Sequence, residues 1–386
     1  FCEFWLYLVV KLKPKTTIEE HFSAIKDPRL DRTKLHQLID IITITLCAVI
    51  SGAESWSDIE LFGQCKYDWF KSFLELPNGI PSHDTFNRVF ARLDTEQLEK
   101  CFSDWVKSIN SLLPGEQIAI DGKTLRHSYD HNKEQKAIVM VSAWARDSGL
   151  VLAQRKVSKK SNEITAVPEL LKVLELSGAI VTLDAMGCQK EIVNQIASQQ
   201  GDYLITLKKN QGNLYKRVDN LFKEVLNGEH FGSKYSSYSL DEDGHSRTEK
   251  RDYHVLNNIS EVIDSEKKWL NLNSVIRVEY LRQLKNGKIK QESRYFITSL
   301  SKEAEQLADY IRGHWSIENQ LHWVLDVEFN EDNSRIRKDN APANLAVIRH
   351  IALNLLKQNK KFKGSIKSKR NRAGWDNNYL REILIN

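Results

Sequence analysis

The chain has 386 residues, 41% of them apolar, enough for a packed core and more than one domain usually needs, so two or three domains are expected. Charged residues make up 28% and nearly balance, leaving a net charge of +5 that is compatible with a nucleic-acid partner but not diagnostic of one. Five scattered cysteines, Cys2, Cys47, Cys65, Cys101 and Cys188, form no Cys-x-x-Cys pair, which argues against a zinc finger or a disulfide scaffold and suits a reducing cytoplasm.

The chain opens with an apolar run over its first ten residues. That run is too short to span a bilayer and lacks a basic leader. Residues 1–16 read as an extension or a mis-called start, with an interfacial anchor as the lesser alternative, so no membrane partner is expected. From Thr17 to about Leu113 the pattern is helical. Leu38 to Ile50 is a dense apolar run long enough for a buried helix, although its β-branched content leaves a strand open. Ser55 or Ser57 can cap the next helix. Ser82 can cap a helix carrying Phe86, Val89 and Phe90 inward and Arg88 and Arg92 outward. Helix, turn and basic helix together fit a DNA-reading element; an ordinary amphipathic helix in a bundle fits equally well.

At Leu113-Pro-Gly-Glu116 the pattern changes. Ile118 to Asp121 reads as a short strand, and Ala137 to Ala145 with Leu150 to Val157 as a hairpin. Helix, strand, helix and strand follow over Glu163–Leu176, Ala179–Asp184, Lys190–Gln200 and Asp202–Leu207. This order suits a mixed sheet with helices packed on it, in the α/β class. Residues from about 212 to 293 interrupt the rhythm. They read as an insertion forming its own small sheet, with polar turns at Asp241-Glu-Asp-Gly244 and Lys285-Asn-Gly287. Ser301 can cap the next helix. A further amphipathic helix spans 339–357, and residues 357–386 form a basic C-terminal tail.

The chemistry concentrates in three places. Asp121 ends Gln-Ile-Ala-Ile, and Asp184 ends Ala-Ile-Val-Thr-Leu. Strand-end carboxylates in such a sheet project from its carboxyl edge, where ligands bind. Glu318 lies in His314-Trp-Ser-Ile-Glu-Asn-Gln-Leu-His322, on the face that Leu307, Ile311 and Trp315 would bury. A carboxylate there is costly unless paired, and a bound cation would pair it. Three such carboxylates can hold paired Mg²⁺ ions for phosphoryl transfer. His314 and His322 flank Glu318 one turn on either side. They fit a transition-metal site, phosphate contact, orientation of the glutamate, or polar packing. The spacing is not that of a zinc peptidase. Asp326, Glu328, Glu331 and Asp332 are rivals for the third ligand, less favoured because they sit where solvent is the usual neighbour. Lys123 and Arg126 follow the first aspartate, and Lys208, Lys209 and Asn210 follow the third core strand. Together with Lys367, Lys369 and Arg370 in the tail, they are candidate phosphate contacts.

Ile120-Asp-Gly-Lys-Thr124, Leu183-Asp-Ala-Met-Gly-Cys-Gln189, His314-Trp-Ser-Ile-Glu-Asn319 and the run from Leu321 to Asn333 resemble the DDE transposases of bacterial insertion sequences. The nearest subgroup includes the H-repeat-associated proteins linked to Rhs elements. Cys47 to Glu60 and Ile80 to Phe86 resemble its associated N-terminal domain. The resemblance implies a helical N-terminal domain over 17–113, then a ribonuclease-H-like catalytic domain over 114–356 with a β-rich insertion. It implies Asp121, Asp184 and Glu318 as metal ligands and catalytic residues, with Mg²⁺ and Mn²⁺ able to substitute for it. It implies cleavage at terminal inverted repeats, joining of the 3′-hydroxyl to target DNA, a homodimer on paired ends, and a cytoplasmic, nucleoid-associated protein. Related transposases carry Tyr and Arg seven and four residues before this Glu, and Lys seven after. Here those positions hold Ile311, His314 and Leu325, so Tyr310, Arg312 and His314 are the candidate substitutes, and Arg312, His314 and His322 join the DNA-contact set. A catalytically silent DNA-binding relic is the alternative. A plain ribonuclease-H-like nuclease or resolvase fits the core but not the N-terminal domain.

Overall fold

The computed structural model describes residues 17–110, 112–129, 136–158, 162–227, 234–244, 247–284 and 288–385. The extension 1–16 and the turn 285–287 lie outside the described residues. The N-terminal region is helical: α1 (Thr17–Phe22), α2 (Leu38–Ile50), α3 (Trp56–Cys65), α4 (Tyr67–Lys71), α5 (His83–Arg92) and α6 (Thr95–Ile109). The β-branched run stays helical in α2 because packing overrides propensity: Ile41, Ile42, Ile44, Leu46 and Ile50 are all buried. Ser55 accepts from the Asp58 N–H while the Asp58 carboxylate accepts from the Ser55 N–H, a reciprocal cap on α3. Ser82 precedes α5 without capping it; its hydroxyl lies 3.2 Å from that of Thr85 instead.

One nine-stranded sheet follows, in the order β3-β2-β1-β4-β5-β9-β8-β7-β6. Its first half comprises β1 (Gln117–Thr124), β2 (Val139–Ala145), β3 (Leu150–Lys156), β4 (Ile180–Leu183) and β5 (Asp202–Leu207). The first three strands are antiparallel, and β4 and β5 run parallel to β1. That is the ribonuclease-H-like arrangement. Helices α7 (Glu163–Leu171) and α8 (Lys190–Ser198) supply the crossovers.

The insertion carries α9 (Gly212–Leu226), β6 (Lys234–Gly244), β7 (Arg247–Asn257), α10 (Ser260–Ile263), β8 (Ser274–Leu284) and β9 (Ile289–Thr298). The expectation of a separate small sheet is wrong. Strand β9 pairs antiparallel with β5 from Leu204↔Thr298 to Leu207↔Tyr295, so the insertion extends the core sheet. Only the second half of β9 is buried; its first five residues are exposed.

Helix α11 (Ala304–His314) begins after Glu303, not at a Ser301 cap, and Glu303 pairs with Lys234 across the insertion. A five-residue π-turn (Glu318–His322) and α12 (Trp323–Glu328) continue the path. Helix α13 (Ala341–Gln358) is buried on all sides rather than amphipathic, because α2, α5, α6 and β3 surround it. Its Asn354 exchanges two hydrogen bonds with the Val151 backbone, at 2.8 and 2.9 Å, completing the ladder of edge strand β3.

The expected basic tail is instead two packed helices, α14 (Ile366–Trp375) and α15 (Asn377–Ile385), held by buried Ala373, Tyr379, Leu380, Ile383 and Leu384. No helix among the described residues is long and apolar enough to cross a membrane.

Candidate metal centre

Strand β1 runs past Asp121, which pairs with Ser142 of β2. The parallel pairing of β1 with β4 ends at Ile120↔Leu183, so the next residue on each strand is an aspartate, Asp121 and Asp184. Asp184 Oδ1 accepts from the N–H groups of Met186 at 2.9 Å and Gly187 at 3.4 Å, which fixes the carboxylate at the sheet edge.

Glu318 arrives from across the sheet. Leu307, Ala308 and Ile311 of α11 pack on Ile180, Leu204 and Phe296. Gln117 Nε2 donates to Tyr310 O at 2.7 Å and Thr182 Oγ1 at 3.2 Å. Arg146 donates to Gln117 Oε1 at 3.2 Å and to Asp309 at 2.7 Å. A Cβ at Gly313 would lie 2.1 Å from Gln117 Oε1, so only glycine lets the helix approach this closely. The α-helical path breaks at Trp315 and widens at Glu318, whose carbonyl accepts from the Trp323 N–H five residues on. The break ends the apolar stripe early: Trp315 is 53% exposed and Glu318 is exposed, not inward-facing as the periodicity predicts.

Ligand atoms of Asp121, Glu318 and His322 all lie within 4.8 Å of one another. His322 is buried, with Nδ1 3.0 Å from Glu318 Oε2 and 3.7 Å from Asp121 Oδ2, so it faces carboxylates and does not contact phosphate. Burial pushes the Asp121 carboxyl above its ordinary range; the charge of His322 opposes this, and Asp184 and Glu318 add to it. His314 bonds Thr182 Oγ1 at 3.0 Å, and burial pushes its pKa down to about 4. It is therefore neutral near pH 7 and cannot supply the cationic phosphate contact expected of it. Among the described residues, no lysine or arginine forms an ion pair with Asp121, Asp184 or Glu318. Clustered oxygen donors without a cationic side chain fit a hard divalent ion.

The other expected contacts separate into two groups. Lys123 is buried, with Nζ 2.7 Å from Asp326, 2.7 Å from Asp332 and 3.4 Å from Glu331. Asp332 also pairs with the exposed Arg126 at 3.0 Å, and Glu331 with buried Arg349 at 3.4 Å. The acidic cluster thus neutralises cations of its own; it neither competes as third ligand nor leaves Lys123 for phosphate. Lys369 is buried and donates to Leu356 O and Asn359 O at the end of α13, at 2.7 and 2.6 Å. Buried Arg370 donates to Val49 O at 3.0 Å and lies over the Phe329 ring. Neither can reach DNA. Asn210 Nδ2 donates to Ala185 O at 2.8 Å, tying its loop to that of Asp184. Arg312 pairs with Glu242 of the insertion. Lys208, Lys209 and Lys367 are exposed, and Lys208 lines the cleft that holds Asp121, Asp184 and Glu318.

Two features were missed in the sequence. Tyr280, Glu292 and Arg294 of the insertion form one wall of that cleft, with Arg294 4.7 Å from the Tyr280 ring centre. The alternation that puts Glu292 and Arg294 on one face of β9 was the available signal. Glu163, the first residue of α7, is a fourth carboxylate beside the aspartates. Its pKa is raised by burial first and then by the charges of Asp121 and Asp184.

Residues 19–106 match the family model described as DDE_Tnp_1-associated, and residues 113–355 the one described as Transposase DDE domain. The chain belongs to the DDE-domain transposases. It is 43% identical over 370 residues to the "H repeat-associated putative transposase YhhI" of Escherichia coli (strain K12), covering 95% of this chain and 97% of that protein. It is 48% identical over 73 residues to the "Inactive transposase YbfQ" of the same strain, covering 19% of this chain and 87% of that one. Among solved structures, a piggyBac transposase synaptic complex with hairpin DNA matches with a TM-score of 0.42 and 14% identity, over 96% of this chain and 78% of that one. Membership in the DDE transposases implies use of a divalent metal, and the acidic cluster at the sheet edge supplies its donors.

Proposed function

We propose that this DDE transposase cuts DNA at the inverted repeats of its own element and joins the freed 3′-hydroxyl to target DNA, with Mg²⁺ as the native metal. One observation carries the reading: donor atoms of Asp121, Glu318 and His322, from widely separated stretches, converge within 4.8 Å, and Asp184 leaves the strand next to Asp121. Asp121, Asp184 and Glu318 would hold the metal, with His322 orienting Glu318 or adding a donor. A divalent-ion pair about 4 Å apart activates a water or 3′-hydroxyl and stabilises the leaving oxygen. The chain's own groups do the rest. Thr182 accepts from Gln117, which leaves its hydroxyl proton free for His314 Nδ1 and fixes a neutral ring at the cleft. Lys208 and Arg294 offer positive charge to the phosphate backbone along the cleft walls. DNA ends and target are the proposed partners, with a homodimer pairing the ends.

The test is Mg²⁺-dependent cleavage and strand joining on DNA bearing the repeats that flank the gene. The wild-type chain should cut and join, with Mn²⁺ substituting, and Asp184→Asn should do neither. Equal activity in the two proteins would refute the site assignment. The alternative of a silent DNA-binding relic draws support from His314: a neutral ring stands where related transposases carry arginine. Binding of the repeats by a wild-type chain that never cuts them would select that reading.

A further inference from the structure

Glu163 opens α7 on the far side of β1 from Glu318's helix, packed towards β2, β3 and the short turn Ala185–Gly187. Its carboxylate lies directly over Gly122. A Cβ built on Gly122 would sit 2.5 Å from Glu163 Cδ and 2.7 and 2.8 Å from its two oxygens. The residue after Asp121 must therefore be glycine for this carboxylate to rest where it does. A small cleft is lined by Asp121, Gly122, Glu163, Asp184, Met186 and Gly187. A larger one is lined by Asp121, Asp184 and Glu318. The two aspartates belong to both.

Glu163 is half-buried, and among the described residues nothing donates a hydrogen bond to it and no cation pairs with it. Three carboxylates held together without a cation repel one another, at a cost that grows as water is excluded. A first-turn glutamate is favoured by the helix dipole, but that reward requires neither a clearance at Gly122 nor proximity to two aspartates. We propose that Glu163 is a fourth carboxylate of the metal centre, serving a divalent ion shared with Asp121 and Asp184, opposite the position that Glu318 and His322 serve. This rests on the reading of Asp121, Asp184 and Glu318 as metal ligands. It adds a donor that the resemblance does not supply.

The test uses the full chain without DNA and Mn²⁺ as probe. Calorimetry gives affinity and stoichiometry, and thermal unfolding with and without the ion gives the metal-induced shift in Tm. Glu163→Gln keeps the side chain's size and removes its charge. Its Mn²⁺ affinity should fall by about ten- to a hundredfold, the scale seen when groups supporting a metal site are removed. Its metal-free Tm should hold or rise, because repulsion is relieved. A plain helix-dipole role predicts the reverse on both counts: a lower metal-free Tm and an unchanged Mn²⁺ response, and that pair of results would overturn the proposal. Gly122→Ala, which pushes the Glu163 carboxylate away while leaving its charge intact, should weaken Mn²⁺ binding in the same direction. Unchanged binding in that variant counts against the proposal. Asp121→Asn is the control for the underlying reading. Loss of binding there with none in Glu163→Gln removes only Glu163 from the centre. Wild-type binding in both removes the centre itself.

Discussion

Lys123 shows how one side chain can be assigned the wrong task when only its charge is known. It follows Asp121 by two residues, the spacing of a phosphate contact, yet it is closed in by Asp326, Asp332 and Glu331. Breaking a buried ion pair by removing one partner typically costs about 3–5 kcal/mol, because the remaining charges are left uncompensated. Lys123→Met should therefore lower unfolding stability by about that amount in urea titrations. The salt dependence of DNA binding should keep its slope, whereas losing one phosphate contact would reduce the slope by about one. A flatter slope at unchanged stability would restore Lys123 to the DNA interface. The same distinction explains which residues could be read from the sequence. Asp121 and Asp184 each end an apolar run, and a run that stops at a carboxylate marks a sheet edge. Lys123, Lys369 and Arg370 could not be read correctly, because their partners lie far away along the chain: Asp326 and Asp332 for the first, Leu356 and Val49 carbonyls for the others.

At the scale of an element, the π-turn is what aims the third carboxylate. Upstream, Ile311 and Ile317 are buried; downstream, Leu321 and Leu325 are buried too. One uninterrupted α-helix would turn each residue by about 100° from the last and could not seat both pairs with Glu318 at the cleft. The wider turn takes up the mismatch. Deleting Gln320, an exposed residue within it, should restore α-helical register and carry Glu318 away from Asp121. Mn²⁺ binding by calorimetry should be lost while far-ultraviolet circular dichroism keeps its helical content. Gln320→Ala, which preserves the residue count, should bind as wild type does. Wild-type affinity in the deletion would show that the turn is not what positions Glu318. Hydrophobic periodicity located this segment and its glutamate, but it assumes 3.6 residues per turn throughout. It therefore placed Trp315 inside, where the structure leaves it 53% exposed. The strand order was readable for a similar reason: β2, β3 and β5 are short apolar runs between turn signals. The joining of the insertion to the core was not, since it depends on the pairing of Leu207 with Tyr295 across nearly ninety intervening positions.

At the scale of the whole molecule, the N-terminal helices, the sheet and the C-terminal helices close around α13. Asn344 of that helix donates to Phe90 O and Leu93 O at 2.8 and 2.9 Å, joining it to the N-terminal region. Lys369 caps its other end, and Arg370 reaches Val49 O in α2. The last two helices thus complete the core that also carries Asp121, and their positive charge is partly structural. Tyr379, Leu380, Ile383 and Leu384 are buried there. Full burial of such side chains is worth about 1.5–3 kcal/mol each, so the four together contribute roughly 6–12 kcal/mol, comparable to the net stability of a typical domain. A chain ending after Gln358 should therefore fail to give a cooperative thermal transition and should bind a hydrophobic dye in the absence of denaturant. A solvated tail could be removed with neither effect. Lys367→Ala separates the two roles of the segment, because Lys367 is exposed while Lys369 and Arg370 are buried. It should leave Tm unchanged and lower the salt slope of DNA binding by about one if this face meets the phosphate backbone. A truncated chain that melts cooperatively at the wild-type temperature would show that α14 and α15 are dispensable to the fold.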